Sequence, residues 1–175
     1  MPPDRGPRLT PSGDPALSTA LTDLRPGMVL TVRGERLPIR YSVWLEQDDV
    51  VWSEHLLDTG GLEMRWFTVE AEEEDEGLIL TTWQTRPDLV SEPGGRTVRV
   101  DGRRWRRYEH GTANFMTEGE GHYPPAGSCE YHDYRDGEDR LSFERFATLP
   151  WEVSLGRRVT PGEVTVEGAP DAAQH

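Results

Sequence analysis

The chain has 175 residues and a formal net charge of −13, and all 19 of its basic residues are Arg. The charge repels nucleic acid and anionic lipid headgroups, and the absence of Lys excludes a Schiff-base lysine and a phosphate-loop lysine. Cys129 is the only cysteine, which excludes an intramolecular disulfide and a Cys-rich zinc site.

The two ends of the chain differ in composition from the middle. Residues 1–24 are rich in Pro, Gly, Ser and Thr, with a short apolar patch at 16–24, and they predict a disordered or loosely docked leader. Residues 168–175 predict a disordered tail. Residues 25–167 form the predicted domain, and mean hydropathy is only −0.71, so its core depends on aromatic side chains.

Short strand patterns fill the first half of this domain. Apolar and polar residues alternate in a way typical of strands at 28–32, 39–45, 50–57, 63–70 and 78–83, with turn residues between them. In the second strand, Ile39, Tyr41, Val43 and Leu45 share one face. The Pro/Gly-rich loop 86–95 follows and is the best candidate for an internal boundary.

The second half repeats the strand pattern. Strands are predicted at 97–101, 104–109, 112–118, 128–135, 140–147, 151–155 and 163–166, and no segment has the apolar period of a helix. Turns every 8–12 residues favour an all-β domain of ten or more short, mostly antiparallel strands, as a sandwich or a partly closed barrel. The similarity of residues 32–37 to residues 100–105 suggests two similar β-units, 25–85 and 96–167; convergent strand composition explains it equally well.

One strand places a carboxyl group among apolar neighbours. In Val50–Leu57, Trp52 and Glu54 share a face, so burial would raise the pKa of Glu54 and suit it to bind a ligand or exchange a proton. Trp66 and Arg65, on the following strand, complete the predicted ligand-binding set. The structural alternative is that Glu54 lies at an edge or pairs with Arg40 or Arg65.

Other clusters point to weaker hypotheses. His122, Cys129 and His132 do not predict a metal site, since Cys129 and His132 lie three apart on a strand and point to opposite faces. The arginines at 96–107 predict a charge-paired sheet face, with a phosphorylated ligand or an acidic partner as the alternative. No cofactor motif is present in the sequence.

The segment 70–76 carries six carboxylates in seven residues and predicts a solvated hairpin tip. Its residues Glu72, Glu73, Glu74, Asp75 and Glu76 are candidates for binding a basic protein partner. Docking through these charges would depend on salt.

The order of several motifs resembles the bacterial domain-of-unknown-function family 4178. The resemblance covers residues 25–167 and rests on Gly27, the strand 36–41, Trp52-Ser-Glu-His-Leu-Leu57, Arg65-Trp-Phe-Thr-Val-Glu70, Asp101-Gly-Arg-Arg-Trp105, Gly119-Glu-Gly121, residues 131–134, and Glu152-Val-Ser-Leu-Gly156 with Pro161-Gly-Glu163. His55 stands where the family pattern has Tyr. The resemblance implies a β-rich domain without established catalytic residues, found beside membrane proteins, polyamine-synthase-like proteins and membrane-remodelling components.

Three functions remain open. The first is a non-enzymatic cytoplasmic accessory module that binds a protein partner in a membrane-associated stress or homeostasis system. The second is a small-molecule-binding barrel whose cavity is lined by Trp44, Trp52, Trp66 and Trp83. The third is a hydrolase that combines Glu54 with His55, His110, His122 or His132, which requires these groups to converge.

Overall fold

The structure is a computed structural model that describes residues 15–71 and 77–168. These residues form one helix, eleven strands and a 3₁₀ turn at Pro161–Glu163. In chain order the elements are α1 (Pro15–Thr22), β1 (Val29–Val32), β2 (Glu35–Gln47), β3 (Val50–Leu57), β4 (Arg65–Ala71), β5 (Leu78–Thr85), β6 (Thr97–Val100), β7 (Arg103–Gly119), β8 (Ala126–Asp136), β9 (Asp139–Phe146), β10 (Glu152–Val159) and β11 (Val164–Glu167).

Eight of the strands close into an antiparallel barrel. The order around it is β2, β3, β4, β5, β10, β9, β8, β7, and the pairing of β7 with β2 closes the ring. This confirms the predicted all-β fold, and of the two architectures that the sequence left open the barrel is the one formed. Barrels of this size either fill their interior with side chains or hold one small ligand.

Each half of the chain contributes four strands to the barrel, after a short strand that forms a hairpin with the first of them. The turns of these two hairpins are equivalent: Arg33 and Gly34 have φ of 50° and 82°, and Asp101 and Gly102 have φ of 54° and 71°. Two consecutive residues with positive φ form the tight turn that matches strand twist. The sequence echo therefore marks equivalent hairpins, while the halves join in one barrel through β2–β7 and β5–β10.

The outside of one wall is covered by α1, β1 and β11. Leu17, Leu21 and Leu24 follow helical spacing, and Leu21 and Leu24 are fully buried against apolar residues such as Phe67 and Leu80 on the outer faces of β4 and β5. The sequence predicted a disordered or loosely docked leader without a helix; the absence of a helix was wrong for Pro15–Thr22, where the leucines dock on the barrel. Residues 1–14 and 169–175 lie outside the described residues.

The opposite wall is covered by the β6–β7 hairpin and the loop after β5. Trp105 is buried there with Tyr134, Leu141 and Phe143, and its indole N–H donates to the carbonyl of Val100 (3.0 Å). The loop 86–95, predicted as a boundary, adds Leu89 to this cluster. The two outer clusters leave the barrel interior as a third, separate region.

β7 corrects the predicted strand boundaries. The sequence predicted two strands, 104–109 and 112–118, whereas the structure has one strand of 17 residues with a bulge between Arg107 and Glu109. Gly111 is therefore not a turn residue. A side chain there would collide with Gln47, which lies 2.6 Å from the position that a Cβ would occupy.

Candidate functional site

The barrel interior has a packed end and an open end. At the packed end Trp66 stacks on Tyr123 (6.1 Å between ring centroids), and Tyr123 stacks on Phe146 (3.9 Å). Phe115 meets Phe146 edge-on, and Tyr41 meets Trp66 in the same way. These rings fill the space with the geometries that aromatic pairs prefer.

The open end contains a cavity of about 690 Å³, which is within the range of small-molecule sites. The strands alternate, so the side chains that point inward come from every second residue of β3, β4, β5, β8, β9 and β10. The main lining residues are Trp52, Glu54, Trp66, Thr68, Glu70, Ile79, Trp83, Tyr131, Asp133, Ser142, Glu144 and Ser154. Gln47, Asp48, Val50, Ala71, Glu109 and His110 line it as well. We call this cavity the lumen.

Aromatic side chains form part of the lumen wall and are held in place by their neighbours. Trp52 meets Tyr131 edge-on at 5.6 Å, and the Tyr131 hydroxyl donates to the Gln47 side-chain carbonyl. The Trp83 indole N–H donates to the Thr68 hydroxyl at 3.0 Å. These contacts fix ring orientation before any ligand enters, which lowers the entropic cost of binding.

Six carboxyl groups of the described residues line the lumen; Asp48 and Glu109 are exposed, and Glu54, Glu70, Asp133 and Glu144 lie deeper, where burial alters their pKa values. Burial raises the pKa of Glu54 and the pKa of Glu70 to about 7, and it holds the pKa values of Asp133 and Glu144 well above their usual range. Protonated Glu144 donates a hydrogen bond to Glu54, because two adjacent buried carboxyl groups cannot both ionise cheaply. Ser142 donates to Asp133 at 2.8 Å.

The predicted ligand-binding residues do not all meet. Trp52, Glu54 and Trp66 line the lumen, as does Trp83, but Arg65 points to the outer face and pairs with Glu35 and with Glu63 (2.9 Å). The alternative prediction for Glu54, an ion pair with Arg65 or Arg40, is wrong because no ion pair joins Glu54 to either arginine.

Trp44 does not line the lumen either. It lies on the opposite face of β2 from Tyr41 and Val43, and its ring meets that of His55 at 5.7 Å. The alternation of β2 required this, since position 44 is out of phase with the inward residues.

The histidines do not join Glu54 in a hydrolase-like cluster. His55 is fully buried on the outer side of β3, where it hydrogen-bonds Ser42 (2.7 Å) and Ser53 (2.9 Å), and burial lowers its pKa to about 3. His132 stacks on His110, and His122 lies 3.5 Å from Glu152. Within residues 15–71 and 77–168, no hydrogen bond joins Glu54 to a histidine.

The candidate metal ligands do not converge. In the part of the chain that the structure describes, no group of three or more His, Cys, Asp or Glu side chains is placed to hold a metal ion. Cys129 points inward and is fully buried, and His132 lies on the other face of β8.

Among the described residues, no helix is long and apolar enough to cross a membrane. The candidate partner-binding residues Glu72, Glu73, Glu74, Asp75 and Glu76 lie outside the described residues.

Sequence reasoning missed three of the buried lumen acids; Glu70, predicted as part of a solvated hairpin tip, instead ends the inward face of β4 and lines the lumen. Asp133 and Glu144 were not singled out, although the signal that identified Glu54 was present in both strands. Asp133 shares a strand face with Cys129 and Tyr131 in β8, and Glu144 shares a strand face with Phe146 in β9. A carboxylate in phase with large apolar residues on three different strands predicts a shared acidic interior, whichever strands pair.

A family model described as a domain of unknown function (DUF4178) matches residues 25–161. The chain belongs to this family. Its similar relatives are proteins named as uncharacterised from Mycobacterium bovis and from two strains of Mycobacterium tuberculosis. Each is 38% identical over 154 residues, which cover 84% of this chain and 73% of the relative. No solved structure matches the chain. The DUF4178 match ends inside the loop after β10, so it spans the whole barrel.

Proposed function

We propose that this DUF4178 protein binds a small molecule in the lumen of its barrel. The observation that carries the proposal is the division of one interior into an aromatic packed end and an open cavity of about 690 Å³. Protein interiors are packed as densely as organic crystals, so a void of this volume is not a by-product of packing. A lumen that holds one small ligand is a recognised use of an eight-stranded barrel.

The residues that line the lumen suit the binding of a small molecule. Trp52, Trp83 and Tyr131 offer apolar surface, and Thr68, Ser142 and the carboxyl groups add polar atoms at separate points of the wall. The wall thus mixes apolar aromatic surface with many polar groups, and polar groups at fixed points of a site orient a small ligand. The mouth is lined by exposed residues of the β2–β3 turn and by Ala71.

The accessory-module hypothesis remains a prediction. Its acidic docking segment lies outside the described residues, and the family relatives carry no functional description. The exposed side chains Val50, Val51 and Met116 do not favour a particular partner. The lumen therefore carries the proposal, and a partner in a membrane-associated system is an independent question.

Tryptophan fluorescence provides the test. A panel of small metabolites is titrated into the purified protein, and we expect emission changes together with a higher melting temperature for the members that bind. The emission change should shrink in Trp52→Phe, which alters the lumen wall, and persist in the matched control Trp44→Phe, whose indole lies outside the barrel. Binding that is insensitive to Trp52→Phe, or a panel without any binder, contradicts the proposal.

A further inference from the structure

The chain separates its ion pairs from its lumen. The ion pairs of the described residues lie on the outer surface and include Arg25–Glu118, Arg33–Glu163, Arg36–Glu167, Arg103–Asp139 and Arg145–Glu130. Among residues 15–71 and 77–168, none of Glu54, Glu70, Asp133 and Glu144 takes part in an ion pair. The surface acids of these pairs have arginine partners, whereas the four lumen acids form no ion pair, although the Arg158 guanidinium acts on Glu70 from a distance.

Glu54 is the clearest example of a lumen acid without an ion-pair partner. Its side chain is only 7% exposed, it points into the lumen, and the group that it contacts is another acid, Glu144. Acidic side chains are almost never buried without a partner, because an ionised carboxylate loses its hydration when water is removed. A buried acid that faces an open cavity without a cationic partner indicates that its partner comes from outside the chain.

The aromatic wall indicates the same class of partner independently of the acids. The rings of Trp52 and Tyr131 meet edge-on beside the acids, and Trp83 is oriented by its hydrogen bond to Thr68. Indole and phenol faces attract cations, most strongly where the cation is out of water. Once these carboxyl groups ionise they repel an anion, and a neutral ligand can hydrogen-bond them but does not offset their charge.

We propose that the ligand is an organic cation, an ammonium group on an apolar body, which places its charge against Glu54 and Glu144 and its body against Trp52. This inference rests on the proposed ligand-binding function and adds the chemical class of the ligand. Binding forms ion pairs and hydrogen bonds from the ammonium N–H groups to carboxylate oxygens. The O–H protons that leave the carboxyl groups pass to solvent, and no other covalent bond changes.

Protonation of the lumen then controls affinity. The charged and titratable groups that face it or act on it are Asp48, Glu54, Glu70, Tyr108, Glu109, His110, Tyr123, Cys129, Tyr131, Asp133, Glu144, Glu152 and Arg158. The Arg158 guanidinium partly offsets the raised pKa of Glu70. An alkylammonium stays charged over this pH range, as a lysine side chain does. Its affinity should therefore rise between about pH 6 and about pH 8, as the lumen acids with pKa about 7 ionise.

The experiment compares two probes of equal shape by calorimetric titration of the full chain. Phenethylamine carries the ammonium group, and phenethyl alcohol replaces it with a hydroxyl. We expect the amine to bind about tenfold more tightly or better at about pH 8, because hydrogen bonds to charged groups are the stronger ones. We expect proton release on amine binding, detected as a dependence of the heat on the buffer's ionisation enthalpy.

A pair of double variants locates the effect. Glu54→Gln with Glu144→Gln should bring the affinity for the amine down to that for the alcohol, without changing the affinity for the alcohol. Glu118→Gln with Glu130→Gln removes two acids as well, but these pair with Arg25 and Arg145 on the outer surface, so amine binding should be unchanged.

The outcomes separate the two proposals. If alcohol and amine bind equally in a manner that Trp52→Phe weakens, the lumen binds ligands but the cation inference is wrong. An amine preference that survives removal of Glu54 and Glu144 also overturns it. If neither probe binds and the metabolite panel yields no lumen ligand, both the inference and the proposed function are wrong.

Discussion

Replacing Glu54 with Gln should stabilise the ligand-free protein, and only at neutral to alkaline pH. Gln keeps the shape of the side chain and removes its charge. The folded-state pKa of Glu54 is about 7, against 4.5 for an ordinary glutamate, because burial disfavours the ionised form. The unfolded state therefore ionises first as pH rises, and stability is lost between about pH 4.5 and pH 7.

The magnitude follows from that shift. Each pKa unit corresponds to about 1.4 kcal/mol, so the ionisable Glu54 lowers the free energy of unfolding by on the order of 3 kcal/mol above pH 7. For a chain of this length 1 kcal/mol moves the melting temperature by about 2–4 °C. Glu54→Gln should then melt about 6–12 °C higher than the natural chain at about pH 8.5, and at nearly the same temperature at about pH 4.

Thermal unfolding followed by circular dichroism at the two pH values measures this difference. The matched control is Glu130→Gln, which removes an acid from a surface ion pair with Arg145 and should change stability by less than about 1 kcal/mol at either pH. Equal melting temperatures of Glu54→Gln and the natural chain at alkaline pH would refute the reasoning. An equal loss at both pH values would do so as well, since it would mean that Glu54 stabilises the fold by packing.

Two further substitutions test the fold around the lumen. Leu21→Ala, at a buried position of α1, should lower the free energy of unfolding by about 2–5 kcal/mol, measured by urea denaturation; a loss below about 0.5 kcal/mol would mean that α1 does not dock. In Gly156→Ala the new Cβ would lie 2.5 Å from the Trp83 ring, so the indole must move and tryptophan emission should shift, whereas Gly162→Ala, with open space around it, should leave emission unchanged. Identical emission spectra for both glycine variants would contradict the predicted contact.

Local alternation predicted the strands and one side of the lumen well. The pattern of β3 put Trp52 and Glu54 on one face, and the structure places both in the lumen. The same rule excludes Trp44 from the lumen, and grouping it with the cavity tryptophans ignored its phase relative to Tyr41 and Val43. Alternation is a reliable guide because it depends only on the backbone of one strand.

Barrel closure had no comparable local signal. The pairing of Tyr41 with Gly119 joins residues that are far apart in the sequence, and the pairing of Ser154 with Thr85 does the same. Which strands pair across such distances depends on the whole arrangement of the core, so the sequence left sandwich and barrel open. The convergence of Glu54 with Glu144 could not be read from either strand alone, because it exists only once the ring is closed.

The two ends of the barrel interior differ in a way that stability alone does not explain. At the packed end Tyr123 and Phe146 stack at 3.9 Å and leave no room for a ligand. At the open end the same strands carry Glu54 and Glu144 facing a void, an arrangement that costs stability at neutral pH. Apolar side chains at these two positions would remove that cost, as the packed end demonstrates. The acids are therefore better explained by what enters the lumen than by what holds the barrel together, and a cation is the ligand that would offset their cost.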